Sequence, residues 1–330
     1  MTLKQFLLLL LTSAIWGSSF IFMKELSPVF GPVLTASFRL LSASAFLFIV
    51  FYFQKYKINW KKNYKLFLLL GLGNSAIPFT LYAYAALYIS PSISVILNST
   101  APMFGAVFSY IIVKESLSYR KIVGLLLGTL GVGVISSFTL TDNSIELYFS
   151  IIGCVTAAAL YGLTGVITKR YASHIEAKEL TLGSLTFGGV ILLPFMLISP
   201  ITGTVTLGLV GMIIIFGILC TSIAYLIYYY LLKEIGAVKA LTVTYLMPVF
   251  GIFWSYVFYS DIIKLNTFLG LILISLGIAL VTYNKRKKEM PVYHLISQWH
   301  SYCELDTIFL LHPVPLALAV CFEIMIFIFF

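Results

Sequence analysis

PMFGAVFSY (residues 102–110) and PVFGIFWSY (residues 248–256) stand 146 positions apart and share Pro, Phe, Gly, Ser and Tyr in the same order. Self-similarity of this kind marks an internal repeat. Both stretches are apolar, yet each carries a proline. Proline removes one helical hydrogen bond and clashes with the turn before it. Inside a membrane such a break is tolerated where protein or water satisfies the freed carbonyl. Pro102 and Pro248 therefore read as equivalent hinges in two equivalent membrane helices.

The same offset extends the match outward. Gly124 and Gly131 fall on Gly270 and Gly277, Tyr82 and Tyr84 on Tyr228 and Tyr230, and Glu115 on Asp261. With an offset of 145, Gly17 and Lys24 meet Gly162 and Lys169. Of the 330 residues, 60% are hydrophobic and 10% charged, with a mean hydropathy of +1.02. Soluble domains are about 25% charged, so this is a polytopic helical membrane protein. Splitting the chain at charged and turn-rich points predicts ten spans, near 5–23, 32–53, 66–88, 92–113, 120–138, 147–168, 180–199, 206–231, 237–259 and 265–283. Each copy of the repeat holds five of them. An odd number sends the second copy into the membrane from the opposite side. The expected fold is therefore all-α, with ten transmembrane helices in two inverted five-helix repeats (1–138 and 147–288) around a central cavity. The tail, 289–330, contains Pro291, Pro313, Pro315 and the apolar run 316–330, interrupted by Glu323. It is open to reading as an eleventh span, an interfacial segment or an appended extension.

Charge placement orients the spans. The net charge is +9. The alternating segments that hold Lys4, Lys55–Lys65, Lys114–Lys121, Lys169–Lys178, Lys233–Lys239 and Lys285–Lys288 carry 18 of the 21 basic residues. The opposite loops hold only Lys24 and Lys264. Lys- and Arg-rich short loops stay in the cytoplasm, so both ends of the ten-helix body are expected there, in a bacterial inner membrane. The basic balance then needs no nucleic acid. The four cysteines (Cys154, Cys220, Cys303, Cys321) lack metal or redox spacing, and no cofactor is expected.

WGSSF in the first span, SFRLLSA in the second, PFTLYAYAALYISPSISVIL across the third and fourth, and APMFGAVFSYIIVKESLS leading into the glycine-rich fifth resemble the EamA-type transporters of the drug/metabolite transporter superfamily. The match covers about residues 3–288. The resemblance implies a carrier of amino acids, other metabolites or drugs, with spans three, four, eight and nine around its cavity.

Polar and aromatic residues at membrane depth nominate the site. Trp16, Gly17, Ser18 and Ser19 place a small polar notch in the first span, echoed by Tyr161, Gly162 and Thr164. Buried tyrosine hydroxyls and amides need partners. Tyr82, Tyr225, Tyr228 and Tyr245, with Asn74, Asn98, Ser99 and Thr244, lie in the spans that the family fold places around the cavity. A lining of this kind suits an amphipathic solute of metabolite size. Arg39 is the one basic residue deep in a span, roughly 10 Å from the outer edge at 1.5 Å per residue. It either contacts a substrate anion or snorkels outward to helix-end carbonyls. The glycines of the fifth and tenth spans read as packing positions. Glu115 and Asp261 read as helix caps or anchors, or as a gating pair.

The expected function is secondary transport by alternating access of an amino acid or related metabolite, as exporter, facilitator or exchanger. The alternative is uptake of a host metabolite, such as a nucleotide-derived cofactor resembling S-adenosylmethionine. No acid or histidine falls near the midplane of the ten spans, which argues against proton coupling. A membrane enzyme would show paired intramembrane aspartates or a Ser/His pair, and a channel a ring of pore residues. Neither pattern is present, so an enzyme is not expected. The expected partners are a small-molecule substrate and the bilayer, with the chain a monomer or weak homodimer.

Overall fold

The computed structural model describes residues 2–114, 116, 118–139, 144–235 and 243–282. The predicted tail, Glu115 and Lys239 lie outside the described residues. Among those described, every regular element is a helix. They are α1 (Leu3–Phe53), α2 (Trp60–Tyr88), α3 (Pro91–Val113), α4 (Tyr119–Thr139), α5 (Ile145–Tyr171), α6 (Ala177–Ile198), α7 (residues 207–235), α8 (Val243–Tyr259) and α9 (Leu265–Thr282). Among the described residues, six helices are long and apolar enough to cross a membrane: α1, α2, α3, α5, α6 and the first part of α7. Shorter apolar helices cover Leu246–Tyr259 and Leu265–Val281.

The first two predicted spans meet without a loop. Helix α1 is two arms, 3–30 and 32–53, joined at Gly31, whose φ of 73° suits a residue without a Cβ. Pro28 and Pro32 bracket the break. Lys24 and Glu25, expected in a connection, are therefore on the helix. The second arm buries Ala36, Leu40, Ala43, Leu47 and Phe51, a stripe of helical period, against Leu182, Leu185 and Leu192 of α6 and Ala76 and Phe79 of α2.

Helices in a bilayer gain little from hydrophobic burial against each other, so close packing through small residues carries much of their association. Here the close approaches come in pairs. A Cβ on Gly17 would sit 2.9 Å from the Gly251 nitrogen, and one on Gly162 would sit 2.5 Å from the Gly105 nitrogen. Gly162 is the repeat counterpart of Gly17, and Gly105 that of Gly251. Likewise a Cβ on Gly124 would meet the Gly277 carbonyl at 2.5 Å, and one on Gly131 the Gly270 carbonyl at 2.8 Å. A Cβ on Gly71 would meet the Ser184 carbonyl at 2.9 Å, and one on Gly217 the Arg39 carbonyl at 2.7 Å. In each pair, a residue of the first copy packs on the second copy, and its counterpart returns the contact.

The two copies share one helix break. Leu72–Ala76 in α2 and Ile218–Ile223 in α7 are π-helical turns starting 146 residues apart. Pro78 follows the first turn, but Ala224 occupies the matching place after the second. The proline is therefore not the cause. Turns of this kind recur at functional sites because they re-aim side chains.

Candidate functional site

Side chains in and just after the second π turn meet the notch of the first arm. Trp16 packs its ring against Tyr228 at 5.2 Å and Tyr225 at 5.5 Å between centroids. Its counterpart Tyr161 stacks on Tyr82, the counterpart of Tyr228, at 6.2 Å. Between these clusters Asn74, inside the first π turn, donates through Nδ2 to the Tyr225 hydroxyl at 3.3 Å. Its Oδ1 accepts from Thr164 Oγ1, also at 3.3 Å. Cys220 takes the counterpart position in the second π turn, with Sγ 3.8 Å from Ser18 Oγ. Trp16, Ser18, Asn74, Tyr161, Tyr225 and Tyr228 are each half-buried.

Other predicted residues fall behind this lining. Ser19 is buried. Tyr82 is 2% exposed, and its hydroxyl donates to Asn98 Oδ1 at 2.8 Å, with the Cys154 carbonyl at 3.3 Å. Ser99 is buried and returns its hydroxyl to the Ile96 carbonyl of its own helix at 2.6 Å. Thr244 is partly buried in the first turn of α8, and the side chain of Tyr245 lies outside those described. Pro248 is inside α8. Pro102 instead opens a new segment, Ala101–Phe108, after helix α3 is interrupted at Ser99 and Thr100. The break precedes the proline, whose missing N–H is harmless in a first turn. Replacing Tyr82 with phenylalanine should strand the buried Asn98 oxygen and cost ~1–3 kcal/mol. A thermal-unfolding series that leaves the midpoint unmoved would contradict that bond.

Arg39 does not snorkel. It is 4% exposed, and Nε donates to Thr221 Oγ1 at 2.8 Å. Its guanidinium carbon sits 3.7 Å from the centre of the Phe79 ring and 4.4 Å from that of Phe216. Ring faces attract a cation. Sequence reasoning passed over Thr221, Phe79, Phe216 and Cys220. The repeat offset pairs Cys220 with Asn74 and Thr221 with Ser75, and that was the signal available.

The two ends of the bundle differ. Where α3 begins, Ser92 Oγ and Ser255 Oγ both donate to Asp261 Oδ2, the latter at 2.8 Å, and Lys24 Nζ donates to the Ile89 carbonyl at 3.4 Å. Asp261 thus ties α8 to α3. Where α3 ends, Ile112, Val113, Lys114, Lys169 and Arg170 line a cavity of about 460 Å³. Outside the membrane helices, the Tyr56 hydroxyl donates to Glu176 Oε2 at 3.0 Å, and burial together with that carboxylate pushes its pKa up.

The profile of the EamA-like transporter family matches residues 3–137 and again residues 148–283. The chain belongs to that family. Family membership and the apolar helices make it a multi-pass membrane transporter, built from two copies of one domain. An uncharacterized transporter of Archaeoglobus fulgidus is 29% identical over 279 residues, covering 84% of this chain and 99% of the relative. The uncharacterized transporter YoaV of Bacillus subtilis is 26% identical over 294 residues, covering 87% and 99%. One solved crystal structure superposes with a TM-score of 0.59 at 16% identity, covering 84% of this chain and 97% of that one, which shows a shared fold alone.

Proposed function

We propose that this transporter works by alternating access around the aromatic and polar chamber between its two copies. The observation that carries it is the reciprocal packing. Gly17 on Gly251 and Gly162 on Gly105, like Gly124 on Gly277 and Gly131 on Gly270, are related as an isologous two-fold would relate them. Such a relation between five-span units supports ten spans in inverted repeats, whose two arrangements exchange the side on which the chamber opens. The rings of Trp16, Tyr225, Tyr228 and Tyr161 supply an apolar wall, and Asn74, Thr164 and Ser18 a polar one. A small amphipathic metabolite, an amino acid or related compound, fits that mixture. The charge pattern supports a bacterial inner membrane with both ends of the body cytoplasmic, the family resemblance supports export, and the lack of acids near the midplane of the spans supports facilitation or exchange. The alternative, uptake of a host metabolite, reverses direction on the same site.

Counterflow in proteoliposomes tests transport directly, because only a carrier shows trans-acceleration by its own substrate. The Trp16→Ala variant is expected to reach the membrane in normal amount and to lose at least ten-fold in counterflow rate, since its ring meets both Tyr225 and Tyr228. Intact counterflow in that variant would return the notch to helix packing.

A further inference from the structure

The two copies cross their second and third helices in the same way, but only one crossing holds a charge. Gly217 approaches the Arg39 carbonyl, and Gly71 approaches the Ser184 carbonyl. By the 145-residue offset, Ser184 is the counterpart of Arg39. Ser184 makes the second crossing with only a local bond to the Thr181 carbonyl, at 3.1 Å. The helix geometry therefore does not require a cation, and Arg39 is there for another reason.

Arg39 is a buried cation, 4% exposed, whose single hydrogen bond among the described residues is Nε to Thr221. The described carboxylates, those of Glu25, Glu146, Glu176, Glu179, Glu234 and Asp261, all lie at or near helix ends, and none pairs with it. Its hydrogen-bond partner Thr221 is next in sequence to Cys220, whose Sγ lies 3.8 Å from Ser18 Oγ in the proposed chamber. Phe79 and Phe216 set their ring faces against the guanidinium, and among the described residues its terminal nitrogens donate no hydrogen bond. A guanidinium presents such donors in a fork that matches a carboxylate. A charge in the membrane interior is costly unless it is paired. One cation balances one negative charge, so a phosphate dianion would carry an uncompensated charge into a poorly solvated space.

We infer that Arg39 anchors the carboxylate of the transported solute, and that the chamber selects organic monocarboxylates with an apolar body. The carboxylate meets the free edge of Arg39, while the body lies against Trp16, Tyr225 and Tyr228. This rests on the transporter reading, but it is tested by binding alone.

The probes are 3-phenylpropanoate, its neutral amide and phenethylamine, added to the full chain in lipid nanodiscs while thermal unfolding is followed. The carboxylate is expected to raise the unfolding temperature saturably, with an apparent affinity at least ten-fold above that of the amide, and the amine to give no shift. Arg39→Gln should abolish the preference for carboxylate, and Arg39→Lys should keep part of it. Arg39→Ser copies the residue at the counterpart crossing and serves if the glutamine variant does not accumulate. Equal shifts with acid and amide, preference for the amine, no shift with the acid, or preference surviving in Arg39→Gln would each overturn the inference. Failure of both neutral variants to fold would also overturn it, by making Arg39 a structural cation. Counterflow without carboxylate preference removes only the solute class. Preference without trans-acceleration removes only the transport reading.

Discussion

Gly162→Val is expected to remove most of the folded protein from the membrane. A Cβ there would lie 2.5 Å from the Gly105 nitrogen, 2.8 Å from the Ala101 carbonyl oxygen and 2.9 Å from the Phe104 carbonyl carbon. All three are backbone atoms and cannot rotate away, so α5 and α3 must separate along the contact. Overpacking usually costs ~1–3 kcal/mol, and a contact with no side chain to yield belongs at or above the top of that range. Gly17→Val should cost nearly as much, since its Cβ would meet the Gly251 nitrogen at 2.9 Å and Phe250 Cβ at 3.0 Å. Gly165, one turn further along α5, has no atom within 4 Å of a built Cβ, and Gly165→Val is the matched control. Fluorescence-detected size exclusion of the three variants reads the outcome. Equal yields from Gly162→Val and Gly165→Val would mean that the close approach does not hold the two copies together.

These same glycines show how far the fold was legible beforehand. Identities at fixed offsets placed Gly17 with Gly162 and Gly124 with Gly270, because small residues at helix crossings leave a one-letter trace in both copies. The offset also brought Trp16 and Tyr161 into equivalent positions, and the structure gives each a tyrosine partner from an equivalent place. Other features left no such trace. The π turns shift side-chain direction by a fraction of a turn, which an ideal 3.6-residue period does not register. For that reason Cys220 and Thr221 were overlooked in a run that reads simply as apolar. Ser99 was nominated by polarity alone, and a serine inside a helix can satisfy itself on its own backbone, as it does on Ile96. Lys24 and Glu25 read as loop residues in the sequence, whereas both sit on a helix that reaches the break at Gly31.

Asp261→Asn is expected to open the chamber at the end where α3 begins. Oδ2 of Asp261 accepts from Ser92 on α3 and Ser255 on α8, so the carboxylate holds two helices of different copies together. Lys24 adds its positive charge nearby and reaches the Ile89 carbonyl. Hydrogen bonds to a charged acceptor contribute ~1.5–3 kcal/mol each. Losing the charge alone should therefore shift the ratio of open to closed forms by about ten-fold or more, at ~1.4 kcal/mol per factor of ten. The chamber supplies its own reporter. Cys220 is buried beside Ser18, and replacing Cys154, Cys303 and Cys321 with alanine leaves it as the single thiol. In vesicles that expose the Asp261 end, a membrane-impermeant maleimide should label Cys220 slowly in the parent chain and about ten times faster with Asp261→Asn. Vesicles of the opposite orientation should show the reverse, as the proposed alternating access requires. If labelling rises equally from both faces, the substitution has loosened the bundle. If neither rate changes, the tie between α3 and α8 is a fixed strut, and closure must reside elsewhere along the first arm of α1.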